Sequence, residues 1–126
     1  MKLFLVCIGG ALGSGARFLL STLAVKVLGP AFPYGTLAVN VIGSFLICGI
    51  MHLSTTANVI SPAMRLFLTT GLMGGMTTYS TFDYETYRFV QQGAYGLAAL
   101  NVLLTLVICF VAGAAGDGFA KLLIRG

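Results

Sequence analysis

Hydrogen-bonding side chains are concentrated in one short stretch of an otherwise apolar chain. Residues 71–85, GLMGGMTTYSTFDYE, hold three glycines, four serine or threonine hydroxyls and two carboxylates. Each mid-helix glycine costs about 1 kcal/mol relative to alanine, which favours a broken helix here. A break exposes carbonyls that can bind a cation, while hydroxyls and free N–H groups can donate to an anion. The stretch therefore indicates an ion site, with a glycine-rich packing face as the alternative.

Aromatic and acidic residues follow the glycines in the same stretch. Tyr79 and Phe82 lie three residues apart and share one face of a helix. Their ring edges carry partial positive charge and could contact an anion, although packing is the commoner use of such a pair. Asp83 and Glu85 point in different directions on a helix and make a poor catalytic pair. Because carboxylates inside a membrane are costly, Glu85 could gate a pore, relay a proton or cap a vestibule, and Asp83 could bond Arg88 locally.

Neutral donors and one arginine lie in the other apolar segments. Arg17 must find acceptors there, either at helix-end carbonyls or as part of a vestibule that attracts anions. Thr36 and Asn40 lie one helical turn apart, as do Asn101 and Thr105. These two pairs either join helices or line a polar track.

The elements that must position these residues are long and apolar. The chain has 126 residues, 58% hydrophobic and 8% charged, with a mean hydropathy of +1.00. Because a hydrocarbon core takes roughly 20 helical residues to cross, we predict an all-α integral membrane protein. We expect a single domain over residues 1–126, with four transmembrane helices at about 3–28, 35–53, 63–90 and 94–123 and a break in the third near 74–78.

Small residues favour association between copies, and weak charge asymmetry permits insertion in both directions. Four basic residues fall on one predicted side and two on the other, so the positive-inside rule orients the chain only weakly. Insertion in both directions, and hence an antiparallel homodimer, is therefore permitted. Gly9 with Gly13, and Gly71 with Gly75, are small pairs four residues apart that allow close helix contact in lipid.

Several classes of function are disfavoured. The basic residues are scattered singly, so no nucleic-acid face is indicated. The sequence holds no paired metal ligands, no Ser/His/Asp constellation and no phosphate-binding loop, so an enzyme is not expected. The three cysteines, Cys7, Cys48 and Cys109, each lie in an apolar run and are interpreted as small hydrophobic residues.

Three segments of the chain resemble the CrcB/Fluc family of fluoride channels. They are Gly9–Gly13 with Arg17 and Phe18, Gly35–Asn40 with Gly43–Phe45, and Gly71–Phe82 with Glu85. The resemblance implies an antiparallel, dual-topology homodimer with two fluoride pores and a central structural Na+. It also implies a multi-pass protein of the cell inner (plasma) membrane that exports fluoride passively and relieves fluoride toxicity.

The resemblance also implies roles for individual residues. The backbone carbonyls of Gly74 and Thr77 would hold Na+. The fluoride pore would be lined by Asn40, Tyr79, Ser80, Thr81, Phe82 and Thr105. By the resemblance, Glu85 would lie near a pore end and Arg17 at its family position. Together with Thr36 and Asn101, which helical spacing suggests, they are the vestibule or pore-end candidates. The chain departs from the family at Tyr79, where Phe is common, and at Cys109 and Gly113, where relatives often carry hydroxyls.

Two other functions remain open from the sequence. A small proton-coupled multidrug exporter would also be a short four-helix dimer, but it needs an accessible acid, which such exporters carry in the first helix. That helix here holds Arg17 and no acid. A structural or assembly subunit would use the glycines and hydroxyls for packing alone.

Overall fold

Helices joined by short connections make up residues 1–125, the part of the chain that the computed structural model describes. In chain order they are α1 (Lys2–Leu28), α2 (Tyr34–Thr55), α3 (Pro62–Leu66), a π-helical segment (Phe67–Met73), α4 (Gly74–Met76), α5 (Ser80–Gln91) and α6 (Tyr95–Arg125). The helices α1, α2 and α6 are each long and apolar enough to cross a membrane. No strand occurs within residues 1–125, so the all-α prediction is confirmed.

The third helical region consists of two halves. Its N-terminal half, residues 62–76, begins at Ser61, whose hydroxyl accepts a hydrogen bond from the Met64 N–H at 3.2 Å. The backbone leaves the helix at Thr77, where ψ is 156°, and the C-terminal half, α5, begins at Ser80. The interruption therefore covers residues 77–79, whereas residues 74–76 of the expected interval are helical.

Glycines pack the N-terminal half against α1. A Cβ on Gly9 would lie 2.9 Å from the Cα of Gly71, and a Cβ on Gly75 would lie 2.6 Å from the carbonyl oxygen of Gly10. A Cβ on Gly13 would overlap the carbonyl of Leu72. Small residues let two backbones approach this closely in lipid. The glycine pairs found in the sequence thus join two helices of the same chain.

A small apolar core lies beside the interruption. Val39 of α2 and Met73 and Met76 of the N-terminal half are buried together, and Leu20 of α1 packs on them. This cluster fixes the end of the N-terminal half against α1 and α2. The interruption therefore begins directly after two buried methionines.

Close packing also joins α2 and α6. A Cβ on Gly116 would overlap the carbonyl of Phe45, so the helix backbones nearly touch there. Near the same ends, His52 Nδ1 lies 2.9 Å from Asp117 Oδ1, and Lys121 Nζ lies 3.2 Å from Asp117 Oδ2. Asp117 and Lys121 lie one turn apart on α6, and the contact of Asp117 with His52 joins this pair to α2.

Candidate functional site

One asparagine replaces the helical hydrogen bonds that are lost at the interruption. Asn40 Oδ1 accepts from the Thr78 N–H at 2.9 Å, and Asn40 Nδ2 donates to the Thr78 carbonyl at 3.1 Å. A side-chain amide thus pairs with both backbone groups of one residue. The pair supplies the partners that an interrupted backbone needs away from water, so Asn40 stabilises the break itself.

Threonine hydroxyls complete the ends of the two halves. Thr77 Oγ1 donates to the Met73 carbonyl at 2.8 Å and ends the N-terminal half. Thr78 Oγ1 accepts from the Thr81 N–H at 3.3 Å and so caps the first turn of α5. Thr78 Oγ1 also lies 3.2 Å from Thr81 Oγ1. The sequence Thr77-Thr78 therefore specifies where one helical half stops and the other starts.

Free carbonyl oxygen is left at the end of the N-terminal half. The Thr78 N–H, which would bond the Gly74 carbonyl in a continuous helix, is used by Asn40. Gly75 has its carbonyl bonded by Arg17 Nε at 3.2 Å. This arginine contact is one of the two uses expected from the sequence, whereas an anion vestibule at Arg17 stays a prediction. Gly74 and Thr77 thus lie where a cation could find carbonyl ligands.

Two aromatic rings stand at the start of α5. The ring centroids of Tyr79 and Phe82 are 5.8 Å apart, and the ring planes are inclined by 58°. The two rings are therefore tilted relative to each other and not stacked face to face. The Tyr79 side chain is 76% exposed in the single chain. Tyr79 therefore leaves an exposed aromatic surface beside the interruption.

A large open groove collects many of the predicted pore residues. Its volume is about 1020 Å³, and it runs between α2, α6 and the interruption. Asn40, Tyr79, Phe82 and Thr105 line it, together with Gly74 and Thr77. Ser80 and Thr81 lie outside this lining, and Ser80 is exposed. The groove ends at His52 and Asp117; the other described lining residues carry no formal charge.

A second, smaller cavity holds two of the vestibule candidates. It has a volume of about 290 Å³ and is lined by the end of the connection between α1 and α2 and by the first turn of α2. Thr36, Glu85 and Arg88 line it. Among the buried side-chain polar atoms of residues 1–125, Glu85 Oε1 is the one without a hydrogen-bond partner. Thr36 therefore lines a different cavity from Asn40, although the two lie one turn apart on α2.

The remaining candidate, Asn101, joins two helices. Its Nδ2 donates to Thr86 Oγ1 at 2.8 Å, and its side chain is almost completely buried. Thr105, one turn further along α6, lines the large groove instead. The two members of this sequence pair thus have different surroundings.

Sequence reasoning missed some of the residues that build the groove. Ser44 lines the groove one turn after Asn40, and Thr69 lines it two turns before Thr77. Helical spacing from the recognised residues could have found both. The π-helical segment, by contrast, has no clear signal in the residue pattern.

Comparison with known proteins decides the family. Residues 4–117 match the family described as "CrcB-like protein, Camphor Resistance (CrcB)". The chain belongs to the CrcB family. The resemblance found from three short segments is therefore confirmed over nearly the whole chain.

Relatives within the CrcB family match almost end to end. The "Fluoride-specific ion channel FluC" of Anaeromyxobacter sp. (strain K) is 54% identical over 124 residues, covering 98% of this chain and 95% of the relative. The protein of the same name from Sorangium cellulosum (strain So ce56) is 47% identical, covering 98% and 97%. That from Pelobacter propionicus is 44% identical, covering 100% and 95%.

The names of the relatives and the apolar helices confirm two general predictions. The relatives are ion channels, a class of protein without enzymatic activity, so the expectation that the chain is not an enzyme is confirmed. Together with three helices fit to cross a membrane, they identify a multi-pass membrane protein. An inner-membrane location is consistent with bacterial relatives of this kind.

Proposed function

We propose that this chain is a fluoride channel that lets F− leave the cell passively and so relieves fluoride toxicity. The names of its relatives support the ion. The observation that carries the proposal is the groove at the interruption, where Asn40 and the Tyr79–Phe82 pair meet without a fixed charge beside them.

Neutral donors suit a small anion that must lose its water without being trapped. Conduction requires binding that is strong enough for entry and weak enough for release. The Asn40 amide has two N–H donors, and the bond to Thr78 uses one of them. The second N–H and the ring edges of Phe82 are then available to the ion. A fixed positive charge at this point would hold fluoride too tightly.

An antiparallel, dual-topology homodimer with two pores completes the proposal. The groove is far larger than one ion and open on one side, so a single chain supplies only part of a pore wall. A second copy would close it, and the exposed Tyr79 ring supports such a contact. Two-fold symmetry would then generate two equivalent pores, one for each groove.

A structural Na+ fits the carbonyl groups at the interruption. Oxygen ligands suit a hard cation. Gly74 has lost its helical N–H partner to Asn40, and Thr77 has an extended backbone. The carbonyls of these two residues would hold the ion, which would supply positive charge that joins the interruptions of two copies. Arg17, bonded to the neighbouring Gly75 carbonyl, already supplies one positive group at this helix end.

Fluoride efflux from liposomes tests the proposal. Purified protein is reconstituted, and fluoride and chloride release are followed with ion-selective electrodes, with Phe82→Ile as the pore variant. Phe4→Ile is the matched control because Phe4 is exposed near the start of α1. We expect rapid fluoride release, little chloride release, loss in Phe82→Ile and retention in Phe4→Ile. Absence of fluoride release from a folded wild-type protein would overturn the proposal.

A further inference from the structure

The helix that carries Phe82 has little apolar support of its own. Within residues 80–91, all of them described, no side chain is fully buried. Phe89 stacks on the buried Phe32 with ring centroids 6.1 Å apart, which supports the far end of α5. The near end, where Phe82 lies, must be positioned by other contacts.

A hydrogen-bonded relay runs from α6 to that near end. Asn101 Nδ2 donates to Thr86 Oγ1 at 2.8 Å, and Thr86 Oγ1 donates to the Phe82 carbonyl at 2.8 Å. The Asn101 side chain is 1% exposed, so it is excluded from direct contact with a solvated path. The relay therefore connects a buried amide to the backbone of the aromatic residue.

The direction of each bond follows from the groups involved. The Phe82 carbonyl can only accept, so the Thr86 hydroxyl must use its one proton there. Thr86 then has only acceptor capacity left for Asn101, which fixes the amide with its nitrogen toward the hydroxyl. Because each group can only donate or only accept in its bond, the relay favours one orientation of α5 about its own axis against α6.

We propose that Asn101 and Thr86 are positioning residues that set the place of the Phe82 ring beside Tyr79 and the groove. The proposal rests on the proposed fluoride conduction for its functional readout. It gives Asn101 the helix-joining role, which is one of the two roles that the sequence left open. Thr86, which the sequence analysis did not single out, becomes the residue through which Asn101 acts.

Substitutions at both ends of the relay, compared by fluoride efflux per folded protein, test the proposal. Thr86→Val keeps the shape and removes the hydroxyl, whereas Thr86→Ser keeps the hydroxyl. We expect efflux to fall about tenfold in Thr86→Val and in Asn101→Leu, and the double variant to be no worse than either single one, because both remove the same connection. Thr86→Ser should restore efflux to near the wild-type rate.

The chain offers a matched control for the loss of a threonine hydroxyl. Thr22 Oγ1 also donates to the carbonyl four residues earlier, at 2.8 Å, but it is exposed on α1. Thr22→Val should conduct like the wild type. If Thr86→Val does not fold, Thr86→Ala replaces it, because alanine removes the hydroxyl without adding bulk. Wild-type efflux in a folded variant that lacks the Thr86 hydroxyl would overturn the proposal.

A second readout is independent of conduction. The chain contains no tryptophan, so a Tyr79→Trp substitution introduces a single tryptophan beside Phe82, and its emission can be excited apart from that of the tyrosines. We expect the emission maximum to shift when Thr86→Val is added and to stay in place with Thr86→Ser. Unchanged emission in both would overturn the positioning role. If wild-type protein conducts no fluoride but the emission shifts as expected, the proposed function fails while the relay stands.

Discussion

The two halves of the third helical region are held in different ways. Residues 62–76 meet α1 backbone to backbone, at glycines where a Cβ would find no room, and Met73 and Met76 are buried. In α5, residues 80–91, no described side chain is fully buried, and the helix is held by partial packing on α6, an aromatic stack and a few hydrogen bonds. The N-terminal half is held mainly by close backbone packing, whereas α5 depends more on directional polar contacts.

This difference separates folding from ion handling. Close backbone packing is disrupted when a side-chain group is added, because a close-packed interior has no space for it. A directional contact can be removed while the rest of the fold persists, and then only the position of α5 changes. Substitutions in the N-terminal half should therefore affect assembly, and those around α5 should affect conduction.

The largest expected effect is at Gly13 of α1. In Gly13→Ala the new Cβ would overlap the Leu72 carbonyl and lie 2.9 Å from the Met76 nitrogen, and neither backbone group can move aside easily. Overpacking costs about 1–3 kcal/mol and sometimes more. We expect a large loss of folded protein, measured by yield and melting temperature in detergent. Gly15→Ala is the control, because a Cβ there meets nothing within 4 Å; equal behaviour of the two would contradict packing by shape.

A smaller but still large effect is expected at Asn40, where the two halves meet. Asn40→Leu removes both hydrogen bonds to Thr78 and leaves the backbone N–H and carbonyl of Thr78 without partners. Leaving a buried backbone group unpaired costs about 1–3 kcal/mol. The interruption would shift to find other partners, so we expect fluoride efflux to fall at least about tenfold. Folded protein should persist, because the glycine contacts with α1 are untouched.

Ser44→Ala provides the comparison for Asn40. Ser44 lines the same groove one turn further along α2, and its removal leaves the Asn40 bonds to Thr78 intact. We expect a much smaller loss of efflux than in Asn40→Leu. Equal losses would mean that groove polarity, and not the bonds at the interruption, controls conduction.

Much of this arrangement could be predicted from the sequence. Long apolar runs and punctuating Pro and Gly residues give the helices because these are local properties of the chain. The concentration of glycine and threonine before Tyr79 likewise indicated a special backbone. The glycines themselves stay helical, however, because α1 packs on them, and the backbone leaves the helix at Thr77 instead. That shift depends on a tertiary contact, which local propensity does not contain.

Side-chain partners were harder to predict than positions. Asn40 was expected as a donor to the ion. Its two hydrogen bonds to Thr78 could be predicted only by knowing which backbone segment faces α2. Asn101 and Thr105 looked alike in sequence, yet one is buried against α5 and the other lines the groove. The spacing of residues along a helix predicts which of them share a face. Which element packs against that face depends on the tertiary fold.

The smallest effect is expected at the contact between Gly43 and Thr77, where shape and directional bonding meet. A Cβ in Gly43→Ala would overlap Thr77 Cγ2, while the Thr77 hydroxyl stays bonded to the Met73 carbonyl. A side-chain methyl can yield more easily than a backbone, so we expect efflux to fall only by about two- to fivefold. Adding Thr77→Ser removes that methyl and keeps the hydroxyl, so the double variant should recover most of the loss. If the double variant is as slow as Gly43→Ala alone, the steric explanation fails and the added Cβ must act on another part of the groove.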